Sequence, residues 1–208
     1  MGLWEDIRLC GPKGTSLENI PYESVPYEFM RRDRFISKYA WAVPSREAVK
    51  RLKEFVGRGL VLEVGSGKGL WAKLLQEEGV SVTATDDMSW TKSERFDPSS
   101  GQFLEVLNMD AEVAVRSFPG HEALLMVWPP YDDPMAEKAL NGFSGNKLIL
   151  VGEDKSGCTA NKMFFNDLGD QWDDVGRVSL PQWPGIHDMM TFWSRKPLRN
   201  VECTVSTP

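Results

Sequence analysis

Leu60-Val61-Leu62-Glu63-Val64-Gly65-Ser66-Gly67-Lys68-Gly69 is an apolar run of β type that meets an acid and breaks into alternating glycines ahead of a helical pattern. Continuous Leu and Val suit a strand covered on both faces, as in parallel sheets. The glycines let the chain turn sharply and bring its backbone close to a ligand with no Cβ in the way. The helix that follows presents free N–H groups to that ligand. These features point to a nucleotide-type cofactor at the end of a buried strand; an ordinary tight strand-to-helix turn is the alternative. A dinucleotide fingerprint is excluded because, after Gly65 and Gly67, its third glycine position holds Leu70. A Walker loop is excluded because Gly67-Lys68 is followed by Gly69. What remains is E-x-G-x-G-x-G.

Later segments supply further parts of such a site. Ser81-Val82-Thr83-Ala84-Thr85-Asp86 reads as a second strand closed by an acid, seventeen residues past Gly69. A carboxylate there can accept both hydroxyls of a ribose. Asp86 is preferred to Asp87 because it directly ends the alternating run; a helix N-cap or loop acid is the other use of such a residue. Asp110-Ala111 follow the short run Phe103-Leu104-Glu105-Val106-Leu107. A fourth segment, Ala123-Leu124-Leu125-Met126-Val127-Trp128, ends in Pro129-Pro130-Tyr131. Consecutive prolines cannot donate ladder bonds, so they end the strand and stiffen the loop at its carboxyl end. In an open parallel sheet that edge holds ligands.

With these motifs in this order, the chain resembles the class I S-adenosylmethionine-dependent methyltransferases. The resemblance implies an α/β, Rossmann-like class I methyltransferase fold, a mostly parallel sheet with a C-terminal antiparallel strand pair. It implies S-adenosyl-L-methionine as cofactor, with Glu63, Gly65, Ser66, Gly67 and Gly69 forming the loop. Asp86 would take the ribose, Asp110 and Ala111 the adenine amine, and Trp128 a place in the same pocket. Pro129-Pro130-Tyr131 resembles motif IV of the amino-methyltransferases, where Asn, Asp or Ser precedes Pro-Pro-Tyr or Pro-Pro-Phe. In that family the polar residue and the first proline carbonyl accept from the target amine, and the aromatic ring stacks on the acceptor. Trp128 departs from the pattern, because an indole has only an N–H donor. Backbone carbonyls and Tyr131 would remain for the acceptor. A proline-rich docking tract would be exposed and extended, whereas this one follows Leu124-Leu125-Met126-Val127.

At 208 residues the chain suffices for one domain with a sizeable core, and it shows no internal repeat or low-complexity stretch. A formal charge of −6 argues against a nucleic-acid partner, because phosphate binding draws on clustered Lys and Arg. Arg31-Arg32-Asp33-Arg34 and Lys50-Arg51-Leu52-Lys53 read as solvated faces. Cys10, Cys158 and Cys203 are far apart and odd in number, which fits a reducing compartment and predicts neither a disulfide nor a metal site. The start, Met1-Gly2-Leu3-Trp4-Glu5-Asp6, carries acids where a signal peptide needs bases, and it lacks the Ser or Thr of a myristoylation signal. No apolar run approaches the roughly 18 residues of a membrane span. A cytoplasmic location is expected.

Residues 1–26, rich in Pro, Gly and polar groups, predict an irregular arm and a candidate flap over the cofactor, with residues 27–208 forming the single methyltransferase domain. Residues 27–38 read as a helix. Ser45 caps the next one, whose apolar face is Val49, Leu52, Phe55 and Val56, and Gly57 and Gly59 end it. The segment Tyr39-Ala40-Trp41-Ala42-Val43-Pro44 resembles the one that packs over the methionine end of the cofactor in related enzymes; plain core is the alternative. A polar helix is expected at 135–141, a strand at 147–151, and a helix capped by Thr159 and running through Phe164, Phe165 and Leu168. Two β-like runs, 176–180 and 189–194, close the fold. Glu153, just past the strand, is a candidate substrate contact or base. His187, beside an acid, is a candidate base or a tie between the last strands. With Tyr131 these make up the catalytic candidates.

Transfer from a sulfonium methyl is an in-line displacement, so such a protein mainly aligns the acceptor and, where needed, removes a proton. Acidic charge and small size favour a small-molecule acceptor methylated on oxygen or nitrogen. Amino-methylation of a nucleic-acid base is the alternative within enzymes. A non-catalytic cofactor-binding or partner subunit is the alternative of another class.

Overall fold

The computed structural model describes residues 2–13, 24–93, 101–155 and 157–197. Seven strands form one sheet: β1 (Val61–Val64), β2 (Val82–Asp86), β3 (Leu107–Asn108), β4 (Ala123–Val127), β5 (Lys147–Gly152), β6 (Trp172–Ser179) and β7 (Met189–Arg195), in the order β3-β2-β1-β4-β5-β7-β6. The first five pair in parallel, and β7 runs antiparallel to both β5 and β6. Strand order reverses between β1 and β4, which opens a crevice at their carboxyl ends.

The apolar runs have residues enough for both faces because both are covered. Val61, Leu125, Ile149 and Val151 face one layer of helices, and Leu62, Val64, Leu124, Met126, Leu148 and Leu150 face the other. The first layer comprises α1 (Leu3–Cys10), α2 (Val25–Lys38), α3 (Arg46–Val56) and α4 (Leu70–Glu77). The second comprises α5 (Ala111–Ser117), α6 (Met135–Gly142) and α7 (Lys162–Gln171). The Ser45 hydroxyl accepts from the Ala48 N–H at 3.1 Å, and Val49, Leu52 and Val56 are buried as their spacing predicts. Phe55 is only partly buried and packs on Phe192.

Four expectations change. Residues 3–10 of the supposed irregular arm form α1, whose Ile7 is buried in the first layer; no described residue of α1 lines the crevice. Residues 14–23 lie outside the described residues, as does Cys203. Of the run 103–107 only Leu107 pairs, with Asn108, because Leu104 and Val106 pack instead against Ala72 and Ala84. α7 is capped by Asn161, whose side chain accepts from Phe164 N–H at 2.8 Å, while the Thr159 hydroxyl is turned back to the Glu153 carbonyl. β6 starts at Trp172, well ahead of residue 176, with a bulge between Asp174 and Gly176. Asp173 and Asp174, poor strand formers, hide its start in the sequence.

Trp172 is buried, with the Arg195 guanidinium 4.3 Å from its ring. Arg195 in turn donates to the Gly145 and Phe143 carbonyls. Trp172→Ala is therefore expected to lower stability by about 3–5 kcal/mol, as for large-to-small changes in cores. Urea unfolding measures it.

Candidate functional site

β1 delivers Glu63 inward and then turns through Gly65, Gly67 and Gly69, at φ of 65, 55 and 77°, all in the region that L side chains avoid. Gly69 is the N-cap of α4. A Cβ on Gly65 would lie 2.7 Å from Met135 Cε, and one on Gly67 would meet no atom within 4 Å. The turn is held to β2: the Ser66 N–H and hydroxyl both donate to the Thr85 carbonyl, and the Gly67 N–H donates to Asp86 Oδ2 at 2.7 Å. The other Asp86 oxygen accepts the Met88 N–H at 2.7 Å. Lys68, almost fully buried, donates to the Ser37 carbonyl at 2.6 Å and so ties α2 down onto the loop.

A cavity of about 260 Å³ opens at this crevice. Glu63, Gly65, Ser66 and Gly67 form its floor, with Asp86 at the end of β2, Asp110 and Ala111 at the start of α5, and Trp128 after β4. Each of these sequence-predicted residues lines the cavity; Gly69 does not, and caps α4 instead. Asp110 also caps α5 by accepting the Glu112 and Val113 N–H groups. Ile36, Tyr39, Ala40 and Trp41 close the cavity from the α2 side. Sequence reasoning missed Asp87 and Trp90, which also line it. Asp87 lies outside the alternating run that marks β2, yet both acids line the cavity.

The electrostatics are set by burial. Glu63 is 1% exposed, and burial pushes its carboxyl up to about 8, aided by the nearby Asp86, against a backbone N–H bond from Ala72. Its Oε2 is buried with no hydrogen-bond partner in the protein. Burial also raises Asp86, opposed by its bonds from Gly67 and Met88. Tyr39 is pushed up to about 12 by burial, and its hydroxyl reaches Asp6 of α1 at 3.0 Å. Among the described residues, no group of three or more His, Cys, Asp and Glu is placed to hold a metal ion, and no helix is long and apolar enough to cross a membrane.

Tyr131, Glu153 and His187 stand outside the described lining of the cavity. Tyr131 is 68% exposed. Glu153 is buried and used structurally: Oε2 accepts the Cys158 N–H at 2.9 Å and Oε1 the His187 N–H at 3.0 Å. His187 Nδ1 lies 3.5 Å from Glu153 Oε1, with its side chain largely in solvent. The Pro129 carbonyl, expected to be open to an acceptor, takes the Ala160 N–H at 3.0 Å, and the Asp132 N–H donates back to the Ala160 carbonyl. Pro130 and Asp133 reach the cavity instead.

No family model matches the chain, and no curated protein matches it in sequence. Solved structures do. Magnesium protoporphyrin IX methyltransferase from Synechocystis, crystallised with bound SAH, superposes with a TM-score of 0.51 at 12% identity, covering 93% of this chain and 92% of that one. 1,6-Didemethyltoxoflavin-N1-methyltransferase from Burkholderia thailandensis, with its substrate and S-adenosylhomocysteine bound, gives 0.51 at 16% identity, covering 86% and 93%. Strand order, the antiparallel terminal pair and these superpositions agree: the chain has the Rossmann-like fold of the class I S-adenosylmethionine-dependent methyltransferases.

Proposed function

We propose that the protein is an S-adenosylmethionine-dependent methyltransferase acting on a small molecule. The observation that carries this reading is the unpartnered, buried Glu63 Oε2 at the floor of the glycine-lined cavity. A buried polar atom without a partner is costly, and an ammonium donor of the cofactor's methionine end would satisfy it. The open space at Gly67, a lining residue with no protein atom within 4 Å of an added Cβ, leaves room for the same ligand. Asp86 and Asp87 offer carboxylates to ribose hydroxyls, Trp90 an aromatic surface, and Asp110 with Ala111 the far wall.

When bound, the cofactor supplies an electrophilic methyl group. The chain's part is to hold the acceptor in line and keep water out; Trp41 stacks on Trp128 at 5.4 Å to form an aromatic wall for that purpose. Tyr131 and His187 carry exposed side chains outside the cavity lining, His187 beside the Glu153 carboxylate, and Glu153 holds the loops that carry Cys158 and His187. The net charge of −6 supports a small molecule over a nucleic acid.

Incubation with radiolabelled S-adenosylmethionine and a panel of carboxylates, phenols, thiols, amines and oligonucleotides tests the reading. Label is expected to pass to a small molecule. Transfer to oligonucleotide alone would move the protein to the base amino-methyltransferases, and cofactor binding with no transfer to any acceptor would favour the non-catalytic subunit.

A further inference from the structure

Asp188 lies between Trp128 and the start of β7, and it is 0% exposed. Its Oδ1 accepts the Trp128 Nε1–H at 2.6 Å, and its backbone carbonyl accepts from the Gln182 side chain at 3.0 Å. The second carboxylate oxygen is buried without a protein partner. Trp128 itself is held at φ 52°, a conformation rare for a bulky residue. Its N–H donates to the Val151 carbonyl at 2.8 Å, its ring stacks on Trp41, and the Arg32 guanidinium sits 5.5 Å from the Trp41 ring and 5.7 Å from the Trp128 ring. One end of the indole is thus fixed by backbone, its face by Trp41, and its polar edge by Asp188.

We propose, building on the methyltransferase reading, that Asp188 is a positioning residue that locks the Trp128 indole as the fixed wall of the cavity and makes position 128 a specificity determinant. With its single donor taken, Trp128 shows an acceptor molecule only carbon surface. The Pro129 carbonyl beside it already takes the Ala160 N–H. The side chain at position 128 therefore offers an amine proton no acceptor, where motif IV places one, and the wall favours acceptors whose reacting atom brings no N–H to satisfy, such as carboxylates, phenolates and thiolates. The groups acting on the Asp188 carboxylate are the Trp128 donor, the Glu153 carboxylate and the Arg32 guanidinium, with His187 paired to Glu153. Burial, reinforced by Glu153 and opposed by Trp128 and Arg32, raises Asp188 to about 7.

The test uses the full chain labelled with ¹⁵N and S-adenosylhomocysteine as the probe. The protein has eight tryptophans, and the Trp128 indole N–H signal is identified by its loss in Trp128→Phe. In the wild type this signal should move with pH around neutrality. In Asp188→Asn, which keeps an oxygen acceptor, the movement should disappear while the affinity for S-adenosylhomocysteine stays within about threefold. In Asp188→Leu, which has no acceptor, the signal should shift to the position of a free indole and the affinity should fall about tenfold. Should the Leu variant fail to fold, the pH response in the Asn variant decides. A Trp128 signal that ignores pH in the wild type, one that still titrates in Asp188→Asn, or equal affinity in the Leu variant and wild type would each overturn the lock. Absence of S-adenosylhomocysteine binding by the wild type is a different outcome: it overturns the methyltransferase reading, and the indole titration then judges the lock alone.

Discussion

Glu63→Gln is expected to weaken binding of S-adenosylhomocysteine by tenfold to about a hundredfold, the range set by losing a hydrogen bond to a charged group, roughly 1.5–3 kcal/mol. The substitution keeps the size of the side chain and its position at the end of β1, so the loss reads the charge. It also carries a pH signature. Burial holds Glu63 at about 8, so at pH 7 the ligand-free site is mostly protonated. A cationic ligand group favours the ionised form, and binding must release that proton. Affinity in the wild type should therefore rise as pH goes from 6 to 8, by roughly tenfold or more, and stay flat in Glu63→Gln. Isothermal titration calorimetry in buffers of different ionisation enthalpy measures both the affinity and the released proton.

The same shift sets the stability of the ligand-free protein. A carboxyl raised in the folded state contributes stability that is fully present below its ordinary value and is lost as pH rises through the folded one. Glu63 at about 8 and Asp188 at about 7 act in the same direction. The ligand-free protein should melt at a lower temperature at pH 8.5 than at pH 6, and Glu63→Gln should reduce the difference.

Gly67→Val should abolish measurable cofactor binding, a loss of more than about a hundredfold, while leaving the fold intact. The residue sits at φ 55°, where a β-branched side chain costs about 1–2 kcal/mol or somewhat more. Beyond its chain neighbours no protein atom lies within 4 Å of an added Cβ, so the backbone is the main cost to the fold, and the added bulk stands at a residue that lines the cavity. Gly79→Val is the control. Gly79 has φ 81° and equally open surroundings but lies outside this cavity. It should lose similar stability and keep its affinity. Thermal melts and calorimetry on the two variants separate strain from steric exclusion of the ligand.

The parts of the site carried by short contiguous patterns were legible in the sequence. Glu63 and Asp86 lie at the carboxyl ends of strands marked by apolar runs, and Gly65 to Gly67 and Asp110 follow strands, so their place at the crevice follows from the parallel sheet. Ser45 was legible because a cap declares itself by position before an amphipathic helix. Where two polar residues competed, local reading failed: Thr159 and Asn161 both suit a cap, and the buried Glu153 carbonyl decided by drawing the Thr159 hydroxyl to itself. α1 was hidden because it is only eight residues long between Gly2 and Gly11, and of its apolar side chains Ile7 alone is fully buried while Leu3 and Trp4 are half covered. The Trp128–Asp188 bond joins residues sixty positions apart across β5. No spacing rule reports such a contact, and the departure of Trp128 from motif IV was its only trace in the sequence.

The central claim is tested most directly by calorimetric titration of the full chain with S-adenosylhomocysteine and, separately, with a nicotinamide dinucleotide. The account predicts one S-adenosylhomocysteine site of roughly micromolar affinity, about 8 kcal/mol, weakened markedly in Asp86→Ala, and no tight dinucleotide binding. Tight binding of the dinucleotide with none of S-adenosylhomocysteine would contradict it.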